Sequence, residues 1–144
     1  MTECIKQRKR SAYCVACVAA MATETTVREF REFIGKKRGP YTDHDMYRYL
    51  ISKDYCLGIG VSFGKDGSKL DNGTEEITVN LRIKDFPAYV TIPSETRPDK
   101  THVVYWDGEC IRDPNPKYPS VRSIQDIAIL TWLPIYKMLG KRDK

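Results

Sequence analysis

The chain has 144 residues, of which 41% are hydrophobic and 30% are charged, and its net charge is +5 at neutral pH. This length suits one ordinary domain, residues 1–144, whose core needs neither disulfide bonds nor a structural metal. No window approaches the roughly 18 uninterrupted apolar residues of a membrane span, and no apolar run precedes a cleavage site near the N-terminus, so we expect neither a membrane protein nor a secreted one. The five cysteines are odd in number and sparse, which indicates a reducing, cytoplasmic compartment.

Two helices are predicted in the first quarter of the chain. The run 13–22 is apolar all round and built from short side chains, which is typical of a buried helix. The run 27–35 places its apolar residues on one face, with Thr26 as the N-cap and Gly35 as the residue that ends the helix.

A third helix is predicted over residues 42–55, with Thr42 or Asp43 as its N-cap. Beyond it, alternating apolar positions with β-branched and aromatic side chains predict strands. These strand segments are 57–64, 76–83, 86–93, 102–113 and 128–137. The pair Asp107-Gly108 predicts a hairpin with a two-residue turn. Helices followed by antiparallel strands indicate an α+β fold in which N-terminal helices pack on an antiparallel β-sheet.

Cys14 stands at the start of the predicted buried helix. Unpaired backbone N–H groups and the positive end of the helix dipole stabilise a thiolate there, so the position suits a cysteine nucleophile. Gln7 lies seven residues upstream, and its side-chain amide together with the backbone N–H of Cys14 would form an oxyanion hole. A buried cysteine is also a common core residue, and Cys17 is interpreted as one. The alternative roles of Cys17 are a substitute nucleophile and a thiol that resolves an oxidised Cys14.

His102 and Asp113 lie on the two arms of the predicted hairpin. With a two-residue turn at 107–108, positions 102 and 113 face each other across the strands. His102 then acts as a general base for Cys14, and Asp113 accepts a hydrogen bond from the other ring nitrogen and fixes the tautomer. Asp113 also suits a turn before Pro114, so its functional role depends on the pairing with His102.

The order of a helical Cys followed by His and Asp on strands resembles the papain-like cysteine peptidase superfamily. More narrowly, it resembles the bacterial branch related to the bacteriocin-processing, double-glycine leader peptidases. In that branch a Gln precedes the motif Cys-Gly-x-Ala-Cys-Leu-Ala-Met, which CVACVAAM at 14–21 matches at Cys14, Ala20 and Met21. The segment 86–116 resembles the strand that leads to the family's His and the hairpin that ends in Asp-Pro.

This resemblance implies a papain-like fold and a thiol hydrolase that cleaves an amide bond of a peptide or protein substrate through a thioester intermediate. Cys14 would be the nucleophile, His102 the general base, Asp113 its orienting partner and Gln7 the oxyanion donor. Two positions depart from the family pattern. Val15 stands where the family has Gly, and Gln7 lies about one residue farther upstream.

Other functions stay open for the same residues. Acyl transfer and deamidation use the same triad, because only the second nucleophile or the leaving group differs. A papain-like scaffold without turnover would act as a binding module for a protein or nucleic acid, through the basic runs 6–10 and 35–39.

Metal chemistry is not predicted. The Cys14-x-x-Cys17 spacing lacks the second close pair of ligands that a zinc site needs, so we predict neither a metal nor another cofactor. The chain also lacks the phosphate-binding motif G-x-x-x-x-G-K-[ST] of a transporter's nucleotide-binding domain. We therefore expect a free-standing cytoplasmic enzyme of bacterial or bacteriophage type.

Overall fold

The computed structural model describes residues 4–6, 13–62, 83–94, 100–124 and 127–138. Within these ranges it contains three α-helices, which are α1 (Cys14–Thr23), α2 (Val27–Ile34) and α3 (Asp43–Ser52). α1 contacts both other helices and also lies against the sheet. Its residues from Val15 to Thr23 are all buried, as the short apolar side chains of this run predict.

The caps of α2 and α3 follow from the sequence. Thr26 accepts a hydrogen bond from the backbone N–H of Glu29, and Gly35 adopts the left-handed conformation with φ of 81° that ends α2. Thr42 and Asp45 form a reciprocal capping box at the start of α3. Of the two predicted caps for this helix, Thr42 is the residue that acts.

The predicted end of the third helix was wrong. α3 ends at Ser52, because Asp54 takes a left-handed conformation with φ of 66° that a continuing helix excludes. Tyr55, which was assigned to the helix, instead begins the first strand. The turn at Lys53 and Asp54 therefore connects the helical layer directly to the sheet.

The described strands form an antiparallel sheet in the order β1-β7-β3-β4-β5-β6, with β2 also paired to β7. Their bounds are β1 (Tyr55–Leu57), β2 (Val61–Ser62), β3 (Ala88–Pro93), β4 (Thr101–Trp106), β5 (Ile111–Arg112), β6 (Val121–Arg122) and β7 (Thr131–Lys137). A short 3₁₀ turn, Ile83–Asp85, precedes β3. Helices packed on an antiparallel sheet confirm the predicted α+β architecture.

Several predicted strands differ in extent from the observed ones. The segment 57–64 is interrupted at 58–60, where a Cβ on Gly58 or Gly60 would collide with Tyr136 or the backbone of Trp132. The last strand begins at Thr131 rather than at 128. The predicted strand 76–83 lies outside the described residues except for position 83, which belongs to the 3₁₀ turn.

The sheet is apolar on both faces. In β4, Val103 and Tyr105 pack toward the helices, whereas Val104 and Trp106 pack on the opposite face. On that second face the rings of Trp106 and Trp132 lie 5.4 Å apart between centroids. β4 is thus buried on both sides, which fixes the backbone that carries His102. None of the helices within the described ranges is long and apolar enough to cross a membrane.

Replacing Thr42 by Ala should destabilise the fold by ~1 kcal/mol, because the hydroxyl accepts from the backbone N–H of Asp45 at 3.1 Å. Urea denaturation of the Thr42→Ala and Thr42→Ser variants measures the effect. The Ser variant keeps the hydroxyl and should retain nearly all of the free energy of unfolding. Equal midpoints for the two variants would show that the cap contributes nothing.

Candidate active site

Cys14 is the first residue of α1, at the point where this helix meets β4. No side chain of the described residues caps this helix, and the N-cap residue is Tyr13. The Tyr13 carbonyl accepts the first intrahelical hydrogen bond, from Cys17 at 2.9 Å. The half-buried thiol therefore lies at a helix N-terminus, where a developing anion is stabilised, and the backbone of Val15 hydrogen-bonds it.

His102 lies near the start of β4, with 13% of its side chain exposed. Its Nε2 hydrogen-bonds Asp113 Oδ1 at 2.7 Å. Because that bond occupies Nε2, Nδ1 is the ring atom left for Cys14, whose sulfur interacts with the His102 side chain. The structure thus brings together three of the predicted site residues, Cys14, His102 and Asp113.

The pairing of His102 with Asp113 arises by a different geometry from the predicted one. The observed register pairs Tyr105 with Arg112, so the hairpin loop has four residues, 107–110. The prediction of a two-residue turn at Asp107-Gly108 was therefore wrong. The carboxylate of Asp107 accepts from the backbone N–H groups of residues 109 and 110 and bonds Arg112, which closes the longer loop.

This change in register keeps Asp113 on the same face as His102. The observed register, continued past β5, places position 115 opposite His102, whereas the shorter turn would place Asp113 there. A shift of two residues preserves the face of a strand, because side chains alternate with a period of two. Asp113 is therefore a diagonal neighbour of His102, and it still reaches the imidazole.

The carboxylate of Asp113 is fully buried and has three donors. Oδ1 accepts from His102 and from the backbone N–H of Asn115, at 2.9 Å. Oδ2 accepts from Arg122 Nη1 at 2.8 Å. Lys6 donates to the main-chain carbonyls of Asp113, Asn115 and Tyr118, at 2.7, 3.2 and 2.9 Å. Sequence reasoning missed Lys6 and Arg122, since neither their position nor their residue type distinguishes them from surface cations.

These contacts determine the charges in the site. Burial alone would raise the pKa of Cys14, but hydrogen bonding and charge from His102 and the backbone of Val103 and Val15 hold it below the ordinary thiol value. Burial alone would lower the pKa of His102, but Asp113 and Cys14 raise it to about 9. Both shifts favour a thiolate on Cys14 paired with an imidazolium on His102.

Asp113 stays ionised in this arrangement. Burial opposes its charge, but His102, the Asn115 amide and Arg122 together hold the pKa of its carboxyl below the usual value. The nearby thiol of Cys17 behaves in the opposite way, because burial and the sulfurs of Cys14 and Cys4 raise its pKa to about 12. Of the two thiols in the Cys14-x-x-Cys17 run, only Cys14 has the environment of a nucleophile.

Two further positions were singled out in the sequence, Gln7 and Val15. Gln7 lies outside the described residues, so its oxyanion role stays a prediction. Val15 packs in the core between the helices and the sheet, with 6% exposure. In the described ranges, no group of three or more His, Cys, Asp or Glu side chains is arranged to hold a metal ion.

Comparison with known proteins shows the fold but not a family. No protein-family model matches the chain, and no curated protein matches it. Among solved structures, the chain is similar to the peptidase domain of Streptococcus ComA, a bi-functional ABC transporter involved in a quorum sensing pathway. The TM-score is 0.61 at 14% sequence identity, over 96% of this chain and 100% of that domain. The chain therefore shares the α+β fold of that peptidase domain.

Iodoacetamide should alkylate Cys14 rapidly below neutral pH while Cys17 stays unlabelled in the folded protein. In the His102→Ala variant, labelling of Cys14 at pH 6 should fall by at least about tenfold, because one unit of pKa changes the thiolate fraction tenfold. Peptide mass spectrometry resolves the two sites. An unchanged pH profile in His102→Ala would contradict the Cys14–His102 ion pair.

Proposed function

We propose that this protein is a cysteine peptidase-like hydrolase that cleaves an amide bond in a peptide or protein substrate. The observation that carries the proposal is the 2.7 Å bond between His102 and a fully buried Asp113, with His102 beside the thiol that begins α1. A buried carboxylate that orients an imidazole toward a cysteine at a helix N-terminus supplies a nucleophile, a proton carrier and an orienting group. The similarity to a peptidase domain supports a peptide substrate.

Acylation begins from the thiolate and imidazolium that the pKa shifts favour. Cys14 Sγ attacks the carbonyl carbon, and the carbonyl oxygen becomes an oxyanion. In this proposal the backbone N–H of Cys14 and the side-chain amide of Gln7 are the two donors that stabilise that charge. When the tetrahedral intermediate collapses, His102 gives its proton to the leaving amine and a thioester remains on Cys14.

Deacylation uses the same groups in reverse. Neutral His102 accepts a proton from water as the water oxygen attacks the thioester, and the carboxylic acid product leaves with Cys14 restored as a thiolate. Asp113 stays ionised throughout and holds the imidazole in the tautomer that presents Nδ1 to the sulfur. An acyltransferase or deamidase would differ from this cycle only in the acceptor or the leaving group.

Substrate specificity belongs to the same proposal. The chain resembles the double-glycine leader peptidases in the run 14–21, and ComA is described as a transporter in a quorum sensing pathway. We infer that the substrate is a secreted-peptide precursor or a similar short peptide rather than an arbitrary protein. Rapid digestion of casein would contradict this restriction.

The Cys14→Ala variant should lose cleavage of a synthetic peptide library by at least about a thousandfold, because the nucleophile is removed. Cys17→Ala is the matched control, since it removes the neighbouring thiol of the same helix, and per folded molecule it should cleave within a few-fold of wild type. Mass spectrometry of the digests measures both. A Cys14→Ala protein that cleaves normally, or that keeps a salt-sensitive binding activity while wild type cleaves nothing, would instead favour the binding-module function.

A further inference from the structure

The Asp113 carboxylate depends on a cation that sequence reasoning did not identify. Oδ2 is bonded by Arg122 Nη1 at 2.8 Å, and no other group of the described residues bonds that oxygen. Oδ1, by contrast, is shared by His102 and the Asn115 amide. The two oxygens thus have separate partners, and the bond to Oδ2 restrains rotation of the carboxylate plane about its Cβ–Cγ bond.

The Arg122 side chain is buried, although its position on a short edge strand does not require burial. Arg122 sits on a two-residue strand, β6, at the edge of the described sheet, yet only 9% of its side chain is exposed. Its guanidinium carbon lies 4.4 Å from the centre of the Tyr118 ring, which holds the group over the aromatic face. Burying a guanidinium is costly unless it is paired, and the ion pair with Asp113 offsets part of that cost.

The charges form an alternating row that ends at the nucleophile. Arg122 is positive, Asp113 negative, His102 positive and Cys14 negative, so each buried charge has an opposite neighbour. A guanidinium is planar and stays charged at every working pH, which makes it suited to fix a carboxylate in one orientation. A rotated carboxylate would leave His102 without its acceptor.

We propose that Arg122 is a positioning residue of the active site, which holds the Asp113 carboxylate so that Oδ1 faces His102 and His102 faces Cys14. This inference rests on the proposed function, because it assigns Arg122 a part in activating the same thiol. Arg122 does not touch the reacting atoms and acts only through Asp113. The hairpin residue Arg112 offers a matched comparison, since it pairs with Asp107 at 2.9 Å and is 12% exposed but has no bond to the triad.

The test compares the pH profile of Cys14 alkylation in Arg122→Met, Arg122→Lys and Arg112→Met. Arg122→Met should lower the rate of Cys14 alkylation at pH 6 by about tenfold, which is the effect of one charge-assisted hydrogen bond. It should also move the acid limb of the profile, where the Cys14 thiolate forms, to higher pH. Arg122→Lys keeps the charge without the planar fork and should lie between Arg122→Met and wild type. Arg112→Met should lower thermal stability while its profile superimposes on that of wild type.

Several results would overturn the inference. One is a profile of Arg122→Met that superimposes on that of Arg112→Met, which indicates a structural role alone. If Arg122→Met does not fold, an alkylation profile of Arg122→Lys that equals that of wild type would also overturn the inference. An ordinary thiol profile in the wild-type protein would contradict the proposed function itself, and with it the role of Arg122.

Discussion

The buried carboxylate of Asp113 is the constraint on which the rest of the site depends. A charge with no exposed surface is tolerated only when each oxygen is hydrogen-bonded, and here the donors come from three different parts of the fold. His102 lies on β4, Arg122 lies on β6, and Asn115 lies in the loop that Asp113 begins. Satisfying one carboxylate therefore fixes the imidazole that lies beside Cys14.

Helix α1 supplies the other half of the site. Its small apolar side chains allow it to be buried on every side, and it packs against β4. Hydrogen bonds and charge from His102, with the backbone of Val103 and Val15, lower the pKa of the thiol at its N-terminus, whereas burial raises the pKa of the thiol one turn later. The same helix thus places two cysteines three residues apart in opposite electrostatic environments.

Much of the fold could be predicted from the sequence, because local signals determined it. The apolar run of α1 and the caps at Thr26 and Thr42 predicted their helices, and alternation predicted β3 and β4. The end of α3 could not be predicted, because the residue type at position 54 does not by itself indicate the positive φ that Asp54 adopts. Tertiary packing, not local propensity, decides such a boundary.

The candidate site was predictable in its residue types but not in its geometry. The pairing of His102 with Asp113 was expected from a two-residue turn, yet it forms across a four-residue loop because Asp107 closes that loop with its own carboxylate. The contact survives because the change in register is even. Arg122 and Lys6 could not be found, since their partners lie across loops whose path depends on the folded chain.

The most direct test of this account is NMR titration of the imidazoles, because the chain has only two histidines and substitution of His44 assigns their signals. The account predicts that His102 remains an imidazolium at neutral pH and loses its proton near pH 9. In Asp113→Asn, that loss should move to lower pH, since the carboxylate no longer supports the charge. A His102 signal that titrates near the ordinary value of about 6.5 in the wild-type protein would contradict the ion pair on which the proposed function rests.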